Sequence, residues 1–202
     1  MLRQYGVELV LTPGKLMAEV VARAKDITER THEAINLGQF SNPANSAMHK
    51  RTTGVEIRDN TAGDIDVFVS AVGTGGTITG VGELLKERKP GVKIVAVEPI
   101  AAVVLSGKPA GIHQMPGIDV GFVPVVLNRG IVDKVIAVSD LDAFVCARRR
   151  ACEKGVLADV SSRAALHASL VFAARPENAG EMLVVIICDS GERYVSSALF
   201  AE

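Results

Sequence analysis

The chain has 202 residues, 48% of them hydrophobic and 22% charged, with a formal net charge of −1. That length hides enough surface for a substantial core. The near-neutral balance gives no electrostatic drive toward nucleic acid or an anionic membrane. An aromatic content of 4% without tryptophan leaves little for stacking bases. Arg3, Glu8 and Lys15 interrupt any leader-like apolar opening. No apolar run approaches the ~20 residues of a membrane span. Cys146, Cys152 and Cys188 have no metal-ligand spacing and read as reduced packing residues in a cytoplasmic compartment. No metal site is expected.

In chain order, residues 7–12 (VELVLT) read as a strand and 15–30 as a helix with Leu16, Val20, Ala24 and Ile27 on one face. Residues 36–54 read as loop, because Pro43 and an Asn/Ser cluster break any period. Residues 65–72 (IDVFVSAV) form an apolar run suited to a strand covered on both faces. A helix over 78–89 stops at Pro90-Gly91, and 93–99 (KIVAVEP) is the next strand.

Strand, glycine turn, helix and strand make a right-handed βαβ unit. Residues 100–128 read mostly as loop. KVIAVSD is a strand, with Ser139 or Asp140 capping a helix over 141–154. SSRAALHASLVFAA reads as a helix begun by serine caps, and MLVVIICDS as a last buried strand. The alternation predicts an α/β fold, a doubly wound, mostly parallel sheet flanked by helices.

The turn between the first βαβ strand and its helix reads Gly73, Thr74, Gly75, Gly76, Thr77. Glycines let successive backbone N–H groups face one hollow, and the helix start adds its dipole and unpaired amides. This is the chemistry of a phosphate cradle built from neutral donors. It is not the G-x-G-x-x-G fingerprint, since position 78 is Ile, and no Gly-Lys-Ser/Thr follows. The alternative is a tight turn that binds nothing.

The blocks VFVSAVGTGGTITGV, GQFSNPAN, TTGVEI, VAVEP and DSGERYVSSALFA resemble cysteine synthase, the O-acetylserine sulfhydrylase family of fold type II pyridoxal-phosphate-dependent enzymes. The resemblance runs from about residue 2 to residue 201. It implies that 73–77 hold the phosphate of pyridoxal 5′-phosphate, and that Ser190 hydrogen-bonds the ring nitrogen. It also implies that Gln39 and Gly117 contact the substrate. The family's front part, with its Schiff-base lysine, has no counterpart in these residues. The resemblance therefore implies a remnant of a smaller domain over 1–36 and a larger α/β domain over 37–202.

None of the lysines sits in an apolar sequence setting, so no catalytic residue is assigned. The expectation is a truncated cysteine-synthase-like protein that does not turn over alone. The alternative is a non-catalytic binder of pyridoxal phosphate or of a peptide, such as the C-terminal tail of serine acetyltransferase. An uncovered apolar face in the first segment predicts a homodimer or poor solubility. Three charged residues depart from the family pattern in glycine-rich segments. They are Asp119 in PGIDVGF, and Asp159 and Arg163 in LADVSSRAAL. They pair, narrow the pocket, or point to solvent.

Overall fold

The computed structural model describes residues 2–12 and 16–194. Lys15 and the end of the last family-like block lie outside them. The chain divides into two compact units, Met1–Gly38 and Gln39–Glu202. No helix among the described residues is long and apolar enough to cross a membrane.

The first unit holds a short 3-10 turn, Leu2–Tyr5, and helix α1, Met17–Arg30. Asp26 bridges Arg23 at 2.6 Å and Arg30 at 2.7 Å, which ties the last turns of α1 together. No residue of α1 is buried. Residues 7–12 alternate like a strand but pair with no other strand among the described residues.

The second unit is built on a four-stranded parallel sheet, β1 Val67–Ala71, β2 Lys93–Pro99, β3 Lys134–Val138 and β4 Leu183–Val185, in the order β3-β2-β1-β4. Helix α4, Gly76–Arg88, follows β1. Helix α5, Asp140–Lys154, and helix α6, Val160–Ala173, lie between β3 and β4 in the chain. Phe68, Ile94 and Ala96 pack with Ile78, Val81 and Leu85 of α4. Val67, Val69, Val95 and Val97 pack with Ala164, Ala168 and Phe172 of α6. Alternate residues of β1 and β2 thus face opposite helical layers, so both strands read as unbroken apolar runs.

Beyond residues 7–12, the structure departs from the sequence reading in four places. Residues 36–54 are not loop throughout: they contain helix α2, Ala44–Arg51, and the start of helix α3, Thr53–Asn60. Pro43 stands at the α2 N-cap, where its missing N–H costs nothing. A Cβ on Gly80 of α4 would strike the Ser46 carbonyl, so the two helices are close-packed through their backbones.

Helix α6 is capped by Asp159, not by serine; its carboxylate accepts from the amides of Ser161 at 3.0 Å and Ser162 at 3.1 Å. Strand β4 pairs over only three residues and is half-buried, as befits an edge. Of the cysteines, only Cys146 is buried; Cys152 and Cys188 are exposed.

Candidate functional site

The chain leaves β1 for β2 on one side, and β4 returns to the other side of β1. The carboxyl ends of β1 and β4 therefore flank the point where the strand order reverses, the place where ligands settle in open parallel sheets. The Gly73 turn follows β1, and residues 188–190 follow β4.

Gly75 caps α4 with φ of 82°, a left-handed conformation that favours glycine. Packing explains the neighbouring glycines. A Cβ on Gly73 would stand 2.5 Å from the Gly117 carbonyl oxygen, and one on Gly76 would collide with the Asn45 amide. The donors are a separate matter. The Gly76 amide donates to Thr74 Oγ1 at 3.2 Å, and the Thr79 amide to the Gly75 carbonyl at 3.1 Å. Among the described residues, the amides of Gly73, Thr74, Gly75 and Thr77 donate to no protein acceptor. Four N–H groups at and just before the helix entrance thus lack a protein acceptor; Gly75 is buried and the other three residues are half-buried.

Helix α2 buttresses this turn. Asn45 Nδ2 donates to Thr74 Oγ1 at 3.0 Å and to the Gln39 carbonyl at 2.9 Å. The Gln39 residue is itself exposed, so Asn45 ties it to the turn through its backbone. His49 Nε2 lies 3.2 Å from Thr77 Oγ1, and its Nδ1 lies 3.0 Å from Thr53 Oγ1. Burial lowers the His49 pKa, which favours the neutral imidazole with one donor and one acceptor nitrogen. Asn45 and His49 were not singled out from the sequence, although the GQFSNPAN block contains the first.

Gly117 has φ of 92° and brings its segment against the turn. The Asp119 amide donates to the Val72 carbonyl at 3.0 Å, holding that segment to the end of β1. Asp119 adopts φ of 46°, so an aspartate occupies a left-handed position. Its carboxylate accepts from the Gly121 amide at 3.0 Å and lies 3.7 Å from His113 Nε2.

A Cβ on Gly117 would stand 3.9 Å from Ser161 Oγ, which links this segment to the start of α6. There Asp159 is 3% exposed and Arg163 1% exposed. Desolvation lowers the Arg163 pKa, against the opposing attraction of Asp159. All three departing charges are therefore turned inward, and Asp159 and Arg163 act on one another across the first turn of α6.

Ser161 and Ser162 hydroxyls approach Cys188 Sγ at 3.2 and 3.3 Å, and the Cys188 amide donates to Ser162 Oγ at 2.8 Å. The Asp159 amide donates to the Asp189 carbonyl at 3.1 Å, and Ser190 forms an isolated bridge with Ala158. The Ser190 hydroxyl is exposed and has no protein partner among the described residues. A continuous path thus joins Gly73, Gly117, Ser161 and Cys188, ending two residues short of Ser190.

A family model described as pyridoxal-phosphate dependent enzyme matches residues 1–189. The chain belongs to this family. It is 42% identical over 203 residues to a cysteine synthase of Staphylococcus aureus (strain Mu50 / ATCC 700699), covering 100% of this chain and 65% of that protein. The chain thus spans 65% of the length of the curated relatives it matches. The crystal structure of a cysteine synthase from Entamoeba histolytica superposes with a TM-score of 0.90 at 42% identity, covering 98% of this chain and 59% of that one. A hydrogen sulfide-producing enzyme from Fusobacterium nucleatum gives 0.89 at 32% identity, over 95% of this chain and 65% of its own. Within the pyridoxal-phosphate dependent family, this chain carries the parallel sheet, the glycine turn and the segment bearing Ser190.

Proposed function

We propose that this chain is a cysteine-synthase-like member of the family that binds pyridoxal phosphate at the 73–77 turn without turning over on its own. The four unpartnered amides of Gly73, Thr74, Gly75 and Thr77 carry the reading. Packing accounts for the glycines; it does not account for a set of unpartnered donors at the switch point. These amides and the Thr74 and Thr77 hydroxyls suit an oxyanion held by geometry rather than by a cation. Asn45 and His49 fix the two hydroxyls in place.

Pyridoxal phosphate, when bound, supplies a conjugated ring that withdraws electrons from the α-carbon of an amino acid. The Ser190 hydroxyl, open to a partner, suits a hydrogen bond to the ring nitrogen. A hydroxyl there leaves the ring a weaker electron sink than a carboxylate would, which favours β-elimination of a good leaving group. Gln39 and Gly117, joined to the turn through Asn45 and Gly73, suit the substrate side. The names of similar structures include O-acetyl serine sulfhydrylase and O-ureido-L-serine synthase, which supports a β-substituted serine as the substrate class, with sulfide as the nucleophile in the first.

The lysines support the second half of the proposal. Lys50, Lys86, Lys89 and Lys93 engage Glu87, Asp133, Asp66 and Glu181 in ion pairs. Glu87 raises the Lys50 pKa, away from that of a reactive amine. Turnover requires a lysine that these residues do not bring to the turn.

The test uses the purified chain with pyridoxal 5′-phosphate. The cofactor should bind, inorganic phosphate should compete with it, and borohydride should leave no pyridoxyl group on any lysine by mass spectrometry. No cysteine should form from O-acetylserine and sulfide. A stoichiometrically labelled lysine overturns the inactive reading, and absence of binding overturns the whole.

A further inference from the structure

At the opposite end of the sheet, where the strands begin, lies an open cleft of about 380 Å³. That volume is in the range of small-molecule sites. Lys93 opens β2 and Lys134 opens β3. Lys134 is in register with Val95, so Lys93, Val95 and Lys134 lie on one face, the face covered by α6. Both ammonium groups stand over the Phe172 ring, at 5.8 Å and 5.5 Å from its centroid. Arg175, just past the end of α6, lines the same cleft, as does Lys86.

The charges do not cancel within the cleft. Lys86 is paired with Asp133 at 2.8 Å and Lys93 with Glu181 at 2.5 Å. Among the described residues, no carboxylate lies within ion-pair distance of Lys134 or Arg175. Glu177, also in the cleft and exposed, pairs with neither. One net positive charge remains above the Phe172 ring, which is only 4% exposed beneath the two lysines. The carbonyl end of α6 offsets part of it, which accounts for one cation near Arg175 but not for two lysines on one ring.

We propose that this cleft is a second binding site, for a small organic oxyanion such as a phosphate or sulfate ester with a flat apolar body. The oxyanion bridges Lys134 and Arg175, and the body lies along the aliphatic stems of Lys93 and Lys134. Every cleft residue named lies within the second unit, and the site shares no residue with the 73–77 turn.

The test titrates the full ¹⁵N-labelled chain with phenyl phosphate and, separately, inorganic phosphate, following backbone amides. Phenyl phosphate should shift the amides of Lys93, Lys134 and Arg175 and bind more tightly there than inorganic phosphate. Lys134→Gln and Arg175→Gln should each weaken that binding roughly tenfold, while shifts at 73–77 persist. Added salt should weaken it too. Shifts confined to 73–77, or shifts at the cleft that both substitutions leave unchanged, overturn the proposal without touching the cofactor reading.

Discussion

The Asn45 side-chain amide donates to the Thr74 hydroxyl across 3.0 Å, joining residues 29 positions apart. The same nitrogen reaches the Gln39 carbonyl. Aspartate has the shape but no donor. Asn45→Asp and Asn45→Ala should therefore both destabilise the fold by about 1–2 kcal/mol, and both should weaken phosphate binding. Thermal melts with and without phosphate check this; an unchanged phosphate-induced Tm shift in both variants contradicts it.

Gly73 faces the Gly117 backbone, which cannot swing aside as a long side chain would. Gly73→Ala should cost about 1–3 kcal/mol in urea unfolding. Gly91, with nothing within 4 Å of a built Cβ, is the internal control. Gly91→Ala should stay within about 0.5 kcal/mol of the parent.

Asp119 holds a left-handed backbone and repays part of that strain through the Gly121 amide. Asp119→Ala keeps the conformation and loses the bond, so a loss of about 1–2 kcal/mol is expected. Asp119→Gly relieves the conformation and should cost less than the alanine variant. The order of the two midpoints in chemical denaturation decides the matter.

Burial lowers the His49 pKa in the folded chain below the ordinary imidazole value of 6.5. The unfolded chain then takes up this proton first as pH falls. The His49 contribution is constant above the unfolded value and is lost as pH drops from 6.5 through the folded pKa. His49→Gln should flatten the stability profile in that window. Equal slopes for parent and variant, measured by urea midpoints across pH 5–8, would remove the assignment.

The layers of the second unit were legible because each strand of the βαβ unit is apolar on both faces. The sequence reading of 93–99 coincides with β2. Helices α2 and α3 were hidden because they carry little apolar period. Their packing depends on small residues: Gly54 lets Leu84 approach, as Gly80 admits the Ser46 backbone. Residues 7–12 mislead in the other direction, since alternation alone does not supply a strand to pair with.

The Gly73 turn was legible from composition, but its supports were not. Asn45 and His49 reach it from a helix that the sequence disguised, and Asp159 took the cap that the serines beside it seemed to offer. Short polar residues clustered in a sequence do not reveal which of them bonds the helix amides.

The glycine turn touches Asn45, Gly117 and Leu127, drawn from three remote stretches of the chain. Its contour is thus a product of the finished tertiary structure rather than of its own few residues. Little ordering is left for a ligand to impose, so capture should be quick and nearly free of rearrangement. Conversely, a partly assembled chain lacks the receptor altogether, and anion uptake becomes a late reporter that assembly is complete.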